Sequence, residues 1–261
     1  MIDFRFAAAA TLAVLVAAGA QGQGQPATPP GAPDAALVLK SADSALYPDN
    51  YSMKVSIDTD RPGRQPTSLV LDVSHKLGDG TFMEILSPTR SKGIRFLISA
   101  DSLWMFSPRA GSRSPLRLSP RESFQGSAFS NSDVGDSTWA EDYSASVVAS
   151  STIDTPALGS VESWEIEGKA LRPTVAYGAM RLWVRKGDLL PLRVEYDAKS
   201  GLHVKTMVLS DFAVVAGRLR PRKILMTEEG PGGAESLVTI SELRSRDDLP
   251  DAMFNQSWLV R

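Results

Sequence analysis

From Met53 to Ser241 the hydrophobic positions recur every second residue in short runs, and turn-forming residues separate the runs. Met53, Val55 and Ile57 alternate with Lys54, Ser56 and Asp58, and Leu69, Leu71 and Val73 alternate with Val70, Asp72 and Ser74. Further runs cover 81–86, 93–98, 103–106, 147–148, 163–167, 179–185, 191–196, 203–212, 222–227 and 236–241. Arg61-Pro62-Gly63-Arg64, Leu77-Gly78-Asp79-Gly80, Lys186-Gly187-Asp188 and 197–201 are rich in Gly, Pro, Asp and Ser and read as turns between them. A period of two marks strands, and about ten of them with turn signals between argue a large antiparallel sheet or open barrel in one domain. Only Asp34 to Leu46 carries a helical stripe (Ala35, Leu37, Val38, Ala42, Leu46), with Asp34 placed to cap it and Tyr47-Pro48-Asp49-Asn50 to stop it. Pro108 to about Ser144 reads as strand-poor.

The central pair of runs departs from simple alternation. Ile94, Phe96 and Ile98 share one face and Leu97 takes the other; Leu103 and Met105 share one face, Trp104 and Phe106 the other. A strand with one wet face alternates apolar with polar. Here both faces are apolar, so each faces either protein core or an apolar hollow. Trp164, Trp183 and Tyr196 add bulky aromatics to other strands. A strongly curved sheet with an apolar concave side, covered by a helix or loops, accounts for such strands.

Composition narrows the chemistry more than it names it. The 261 residues contain no Cys, which excludes disulfides, thiolate metal sites, a thiol nucleophile and a lipid-modified Cys. A formal net charge of −2 gives no overall attraction to nucleic acid. Met1 to Ala20 has the pattern of a signal peptide, with a short apolar run from Ala7 to Ala18 and the small-x-small site Ala18-Gly19-Ala20. Cleavage after Ala20 and export to the periplasm are expected, followed by a flexible Gln/Gly/Pro/Ala leader over 21–33 and a folded domain over 34–261.

No catalytic constellation is legible. The sequence has no His-Glu-x-x-His, Gly-x-Ser-x-Gly, phosphate-loop or Ser-x-x-Lys motif, and no metal site or cofactor is expected. His75 and His203 fall in polar strand slots, and Glu165 and Glu167 share a strand face, as solvated residues do. The interval from Arg90 to Arg121 is strongly basic, with Arg90, Lys92, Arg109 and Arg113 the candidates for contact with a partner. It reads either as a site for an acidic partner or anionic headgroups, or as a wet loop whose Arg stems cover apolar surface. Phe124 and Phe129 stand in a small-residue loop and either plug a cavity mouth or pin the loop to the core.

Phe124-Gln125-Gly126-Ser127-Ala128-Phe129-Ser130 followed by Asp133-Val134 resembles a Phe-Met-Gly-Ser-Asp-Phe-Ser segment, followed by Asp-Leu, of the LolA-like outer-membrane lipoprotein-sorting proteins, with Gln125 in place of Met and Ala128 in place of Asp. Ser87-Pro88, Lys92-Gly93 and Leu103-Trp104-Met105-Phe106-Ser107-Pro108 are similar to the same family's central hairpin. So are Leu182-Trp183-Val184-Arg185-Lys186, Leu190 to Tyr196 and the ending Leu249-Pro250-Asp251-Ala252-Met253-Phe254. The resemblance implies a mainly β, single-domain unclosed antiparallel half-barrel with covering helices and loops. It implies a carrier of lipid or lipoprotein acyl chains that meets an inner-membrane transporter and an outer-membrane acceptor, without catalysis and without nucleic acid. Phe96, Ile98, Trp104, Phe106, Phe124 and Phe129 are the expected lining of its concavity. The alternative is an envelope sensor or scaffold with the same fold, its interior closed on its own core.

Overall fold

The computed structural model describes residues 28–99, 102–109, 111, 114–135, 138–156 and 158–261. The segment expected to be a signal peptide, most of the expected leader and Arg113 lie outside the described residues. Ala35–Leu46 forms α1, and Asp34 caps it by accepting from the Leu37 amide at 2.9 Å. Among the described residues, thirteen strands make a single sheet. The first six are β1 (Asn50–Asp60), β2 (Thr67–Lys76), β3 (Gly80–Ser87), β4 (Arg95–Ser99), β5 (Ser102–Phe106) and β6 (Leu116–Leu118). After α2 (Trp139–Asp142) come β7 (Tyr143–Thr155), β8 (Gly159–Ala170), β9 (Ala179–Arg185), β10 (Pro191–Asp197), β11 (His203–Val215), β12 (Arg218–Glu228) and β13 (Glu235–Ser245).

The strand order is β6-β5-β4-β3-β2-β1-β13-β12-β11-β10-β9-β8-β7, and every neighbouring pair is antiparallel. Two meanders are therefore sewn together by the long-range pairing of β1 with β13. The barrel does not close, because β6 and β7 are its two edges. The chain between these edges, 119–142, passes from one side of the sheet to the other. The strand-poor interval is thus a strap across the sheet; β6 and α2, both short, lie within that interval and give no periodic signal.

The sheet curls around α1. The helix touches β7, β10 and β12, strands spread over a width of about 24 Å at some 4.8 Å per strand, more than twice the diameter of a helix. Flat packing could not bring both ends of that span to one helix. Close approach elsewhere is set by Gly80, whose φ is +127° and whose missing Cβ would stand 2.1 Å from the Ile98 carbonyl oxygen.

The two-faced central strands have protein on both sides. Met83, Ile85, Phe96, Ile98 and Leu103 face the concave side with Phe124. Phe82, Leu97, Trp104 and Phe106 face the convex side, where a C-terminal layer covers them: Leu249, Phe254 of the 3-10 turn Asp251–Phe254, and Leu259 of α3 (Gln256–Leu259). Arg95 holds that layer down, donating to the Leu259 carbonyl at 3.2 Å and to the Arg261 carbonyl, and pairing with Glu84 at 3.3 Å. Four-residue helices carry too short a pattern to be legible in sequence.

Candidate functional site

The concave face carries two apolar clusters that meet at Val238 and Val134. One is built on β1 to β5; the other spreads over β7 to β12 and includes Val38, Leu39 and Ala42 of α1. The strap seals both. Its residues 123–130 fold as a small hairpin, with the Phe124 amide donating to the Phe129 carbonyl at 2.8 Å. Gln125 and Gly126, at φ 52° and 83°, make its tip. Phe124 enters the first cluster, its ring 5.0 Å from that of Phe96, and Phe129 enters the second. Between them the Ala128 amide donates to Ser236 Oγ at 2.9 Å, and Ser236 Oγ in turn bonds Thr59 Oγ1 at 2.7 Å. Ser236 and Ala128 are fully buried, so these bonds are made away from water, where leaving them unmade is expensive.

Of the residues the sequence assigned to a lining, Phe96, Ile98, Phe124 and Phe129 face the concavity. Trp104 and Phe106 do not: they lie on the convex face under the C-terminal layer. Parity separated the two sets, but which face was hollow depended on packing. The concavity is also filled. Phe96 and Phe124 are completely buried, and the cavity left beneath the strap holds about 100 Å³, below the 300–1,000 Å³ of ordinary ligand pockets.

That remnant cavity is half polar in character and sits where α1, α2 and the strap converge over β10 and β11. Asp133 of the strap is gripped there. Lys205 Nζ of β11 donates to it at 3.0 Å, Tyr177 Oη donates to both carboxylate oxygens at 2.9 and 3.0 Å, and the Ser130 amide donates at 2.7 Å. Tyr177 stacks on Tyr196 at 4.5 Å, and Tyr196 Oη accepts from Trp139 Nε1 at 2.9 Å. Burial, then the charge of Asp133, raises the Tyr177 hydroxyl far above the usual tyrosine range, so it stays a donor.

Two other polar contacts secure α1. Arg218 and Arg220 of β12 donate to the Ser41 and Ser44 carbonyls at 3.0 and 2.7 Å. Asp43 of α1 accepts the Trp139 and Ala140 amides, both at 2.9 Å, and so caps α2 from outside. Burial outweighs those two bonds and, with Glu141 and Asp142 nearby, pushes the Asp43 carboxyl up to about 6. A raised folded value means that the fold binds this proton more tightly than the unfolded chain does. The stabilisation is complete below about pH 4 and fades as pH rises through about 6. Against Asp43→Asn, the wild-type chain should therefore gain about 2 kcal/mol of relative stability between pH 7.5 and pH 4 in urea unfolding.

The remaining expectations are placed as follows. Glu165 and Glu167 both pair with Arg181, at 3.1 and 2.8 Å, on the convex face. His75 bonds Thr81 Oγ1 at 2.8 Å and His203 bonds Thr206 Oγ1 at 3.1 Å. Among the described residues no group of His, Asp or Glu is arranged to hold a metal ion. Arg90 and Lys92 are exposed, and Arg109 donates to the Thr89 carbonyl at 2.7 Å. Asp133 was noted in the sequence only as part of the Asp133-Val134 segment, and Tyr177 and Lys205 were not singled out, because the three come from separate stretches.

A family model described as "-like: Uncharacterized protein" matches residues 78–261. No curated protein matches the chain. Among solved structures, a LolA superfamily protein from Nitrosomonas europaea is similar at 26% identity and a TM-score of 0.77, over 87% of this chain and 100% of that one. A putative outer membrane lipoprotein-sorting protein domain from Vibrio parahaemolyticus shares 18% identity with a TM-score of 0.74, over 87% and 98%. A DUF1329 family protein from Desulfovibrio piger shares 22% with a TM-score of 0.72, over 87% and 96%.

Proposed function

We propose that this chain, which belongs to the LolA-like family of outer-membrane lipoprotein-sorting proteins and to the uncharacterized family matched over residues 78–261, is a periplasmic carrier of acyl chains. It takes the chains of lipoproteins or lipids into its concave face and moves them between the inner and outer membranes, after export and removal of the signal peptide. An inner-membrane transporter and an outer-membrane acceptor are its partners in this reading. The observation that carries the proposal is the way the concave face is covered. Its seal is not another sheet but α1 and the strap, held by a few side-chain contacts centred on Asp133, Asp43, Arg218 and Arg220.

Such a cover can leave without unpairing a strand. Cargo would then replace Phe124, Phe129 and the apolar face of α1 against the sheet. Each methylene buried contributes about 0.8 kcal/mol, so a dozen of them offset about 10 kcal/mol of lost internal packing. No ionised group is needed to hold the cargo, in keeping with a non-enzymatic role. The function is reached by an equilibrium between covered and open states, which the ligand shifts through its preference for the open one.

Native mass spectrometry of the protein purified from its own host should show bound lipid, and a fluorescent fatty-acid analogue should bind saturably and be displaced by lipid. Absence of both results would remove the carrier reading. The filled concavity favours one second reading, an envelope sensor or scaffold that keeps its interior closed. That reading expects neither signal.

A further inference from the structure

The register places the connections 61–66, 88–94, 107–115, 171–178, 198–202 and 229–234 at one end of the sheet, since Asp60 lies opposite Glu235, Ser87 opposite Val70, Arg95 opposite Phe106, Tyr143 opposite Ala170 and Ala179 opposite Asp197. Hydrogen bonds tie neighbouring connections to one another and to the strand ends. Arg109 donates to Thr89 O at 2.7 Å, Arg61 to Gly232 O at 3.1 Å, the Glu229 amide to Val204 O at 2.9 Å, and Lys199 to Pro173 O.

The rim is basic. Arg61 and Arg172 are neutralised by Glu228 and Asp142. Arg64, Arg90, Lys92, Arg109 and Lys199 have no carboxylate partner among the described residues, and Glu229 is the one acid in the described part of these connections. The connections of the opposite rim are acidic, with Asp49, Asp79, Asp188, Asp247 and Asp248 against Lys186 and Arg246, and Lys76, Arg185 and Arg246 pair there with Asp79, Asp188 and Asp248. A net charge of −2 conceals this division.

We infer that the basic rim docks the protein on an anionic membrane surface, with the strand axis upright and the acidic rim turned away. The unpaired cations are spread along a perimeter rather than gathered in a pocket. An open depression there, about 380 Å³, has mixed charge from Arg61, Lys205, Glu228 and Glu229. Dispersed point charges fit a plane of phosphate headgroups better than one acidic peptide. Leu171 and Leu202, 56% and 67% exposed, stand on the same rim and add hydrocarbon contact at the headgroup level. Exposed leucines occur at both ends of the sheet (Leu77 is 66% exposed at the other), so charge, not hydrophobicity, sets the orientation. Each cation brought near such a surface raises partitioning by about fivefold, and the attraction dies within a Debye length.

This goes beyond acyl-chain carriage and does not depend on it, because vesicle binding is read without loading the concavity. In flotation, the mature chain should rise with vesicles of equal parts phosphatidylglycerol and phosphatidylcholine. It should stay behind with phosphatidylcholine alone, and detach at roughly 0.5 M NaCl, where screening reaches a few ångströms. The exposed-residue variant Arg64→Ala/Arg90→Ala/Lys92→Ala/Lys199→Ala should melt like wild type and lose at least about 100-fold in partitioning. Asp247→Ala/Asp248→Ala, at the far rim, should bind as wild type does. No recovery with the anionic vesicles, equal recovery with neutral ones, or undiminished binding of the fourfold variant would overturn the proposal. Salt-sensitive retention on immobilised polyglutamate without vesicle binding would overturn it too, assigning the rim to an acidic protein.

Discussion

Lys205→Met is expected to lower the free energy of unfolding by about 3–5 kcal/mol, the usual consequence of leaving one half of a buried ion pair behind. The side chains of Lys205 and Asp133 are only 12% and 6% exposed, and their 3.0 Å contact is the strap's charged anchor on β11. Methionine fills the space of the lysine stem but leaves Asp133 as a buried carboxylate with Tyr177 and Ser130 as its remaining donors. Most of the loss should therefore come from the stranded charge rather than from the bond removed. The double variant Asp133→Asn/Lys205→Met tests this, since an asparagine side chain keeps an oxygen for those two donors and carries no charge. Urea unfolding should find the double variant more stable than Lys205→Met alone by at least about 1 kcal/mol. Two losses that simply add would mean that the pair is held on the surface and that the strap is anchored elsewhere.

The second large effect is expected at Phe124→Ala, again about 3–5 kcal/mol, from lost burial and the cavity left behind. Phe124 is completely buried against Phe96 in the half of the concavity formed by β1 to β5. The same deletion enlarges the space that the carrier reading assigns to cargo. The variant should bind a fluorescent fatty-acid analogue more tightly than wild type, because less internal packing has to be displaced. Trp104→Ala supplies the contrast. It removes an aromatic of similar bulk from the convex face, beneath the C-terminal layer, and should leave analogue binding unchanged. Equal analogue affinity in wild type and Phe124→Ala would show that cargo, if any, does not enter where the strap sits.

Much of this architecture was legible because strands and turns are local devices. The alternation of Met53, Val55 and Ile57 reflects the pleat itself, and the cap at Asp34 and the turn at Leu77-Gly78-Asp79 require only neighbouring residues. The split of Phe96 and Ile98 from Leu97, and of Leu103 from Trp104 and Phe106, was legible for the same reason, and the structure keeps it. What parity lacks is a sign. It separates two faces without saying which one bends inward or what lies over each. Trp104 and Phe106 were assigned to the concavity when the tail from Leu249 to Leu259 covers them from outside, a layer announced only by two short turns.

The chain alone thus determined a mainly antiparallel β protein, where its turns fall, and that some strands are apolar on both faces, since each of these follows from residue type and the two-residue period of a strand. Tertiary structure decided the pairing of β1 with β13, the curl around α1, the strap that fills the concavity with Phe124 and Phe129, and the meeting of Asp133, Tyr177 and Lys205. The physical reason is range. Those contacts join residues tens to hundreds of positions apart, and their choice rests on shape and on desolvation of particular side chains, quantities that no local pattern carries.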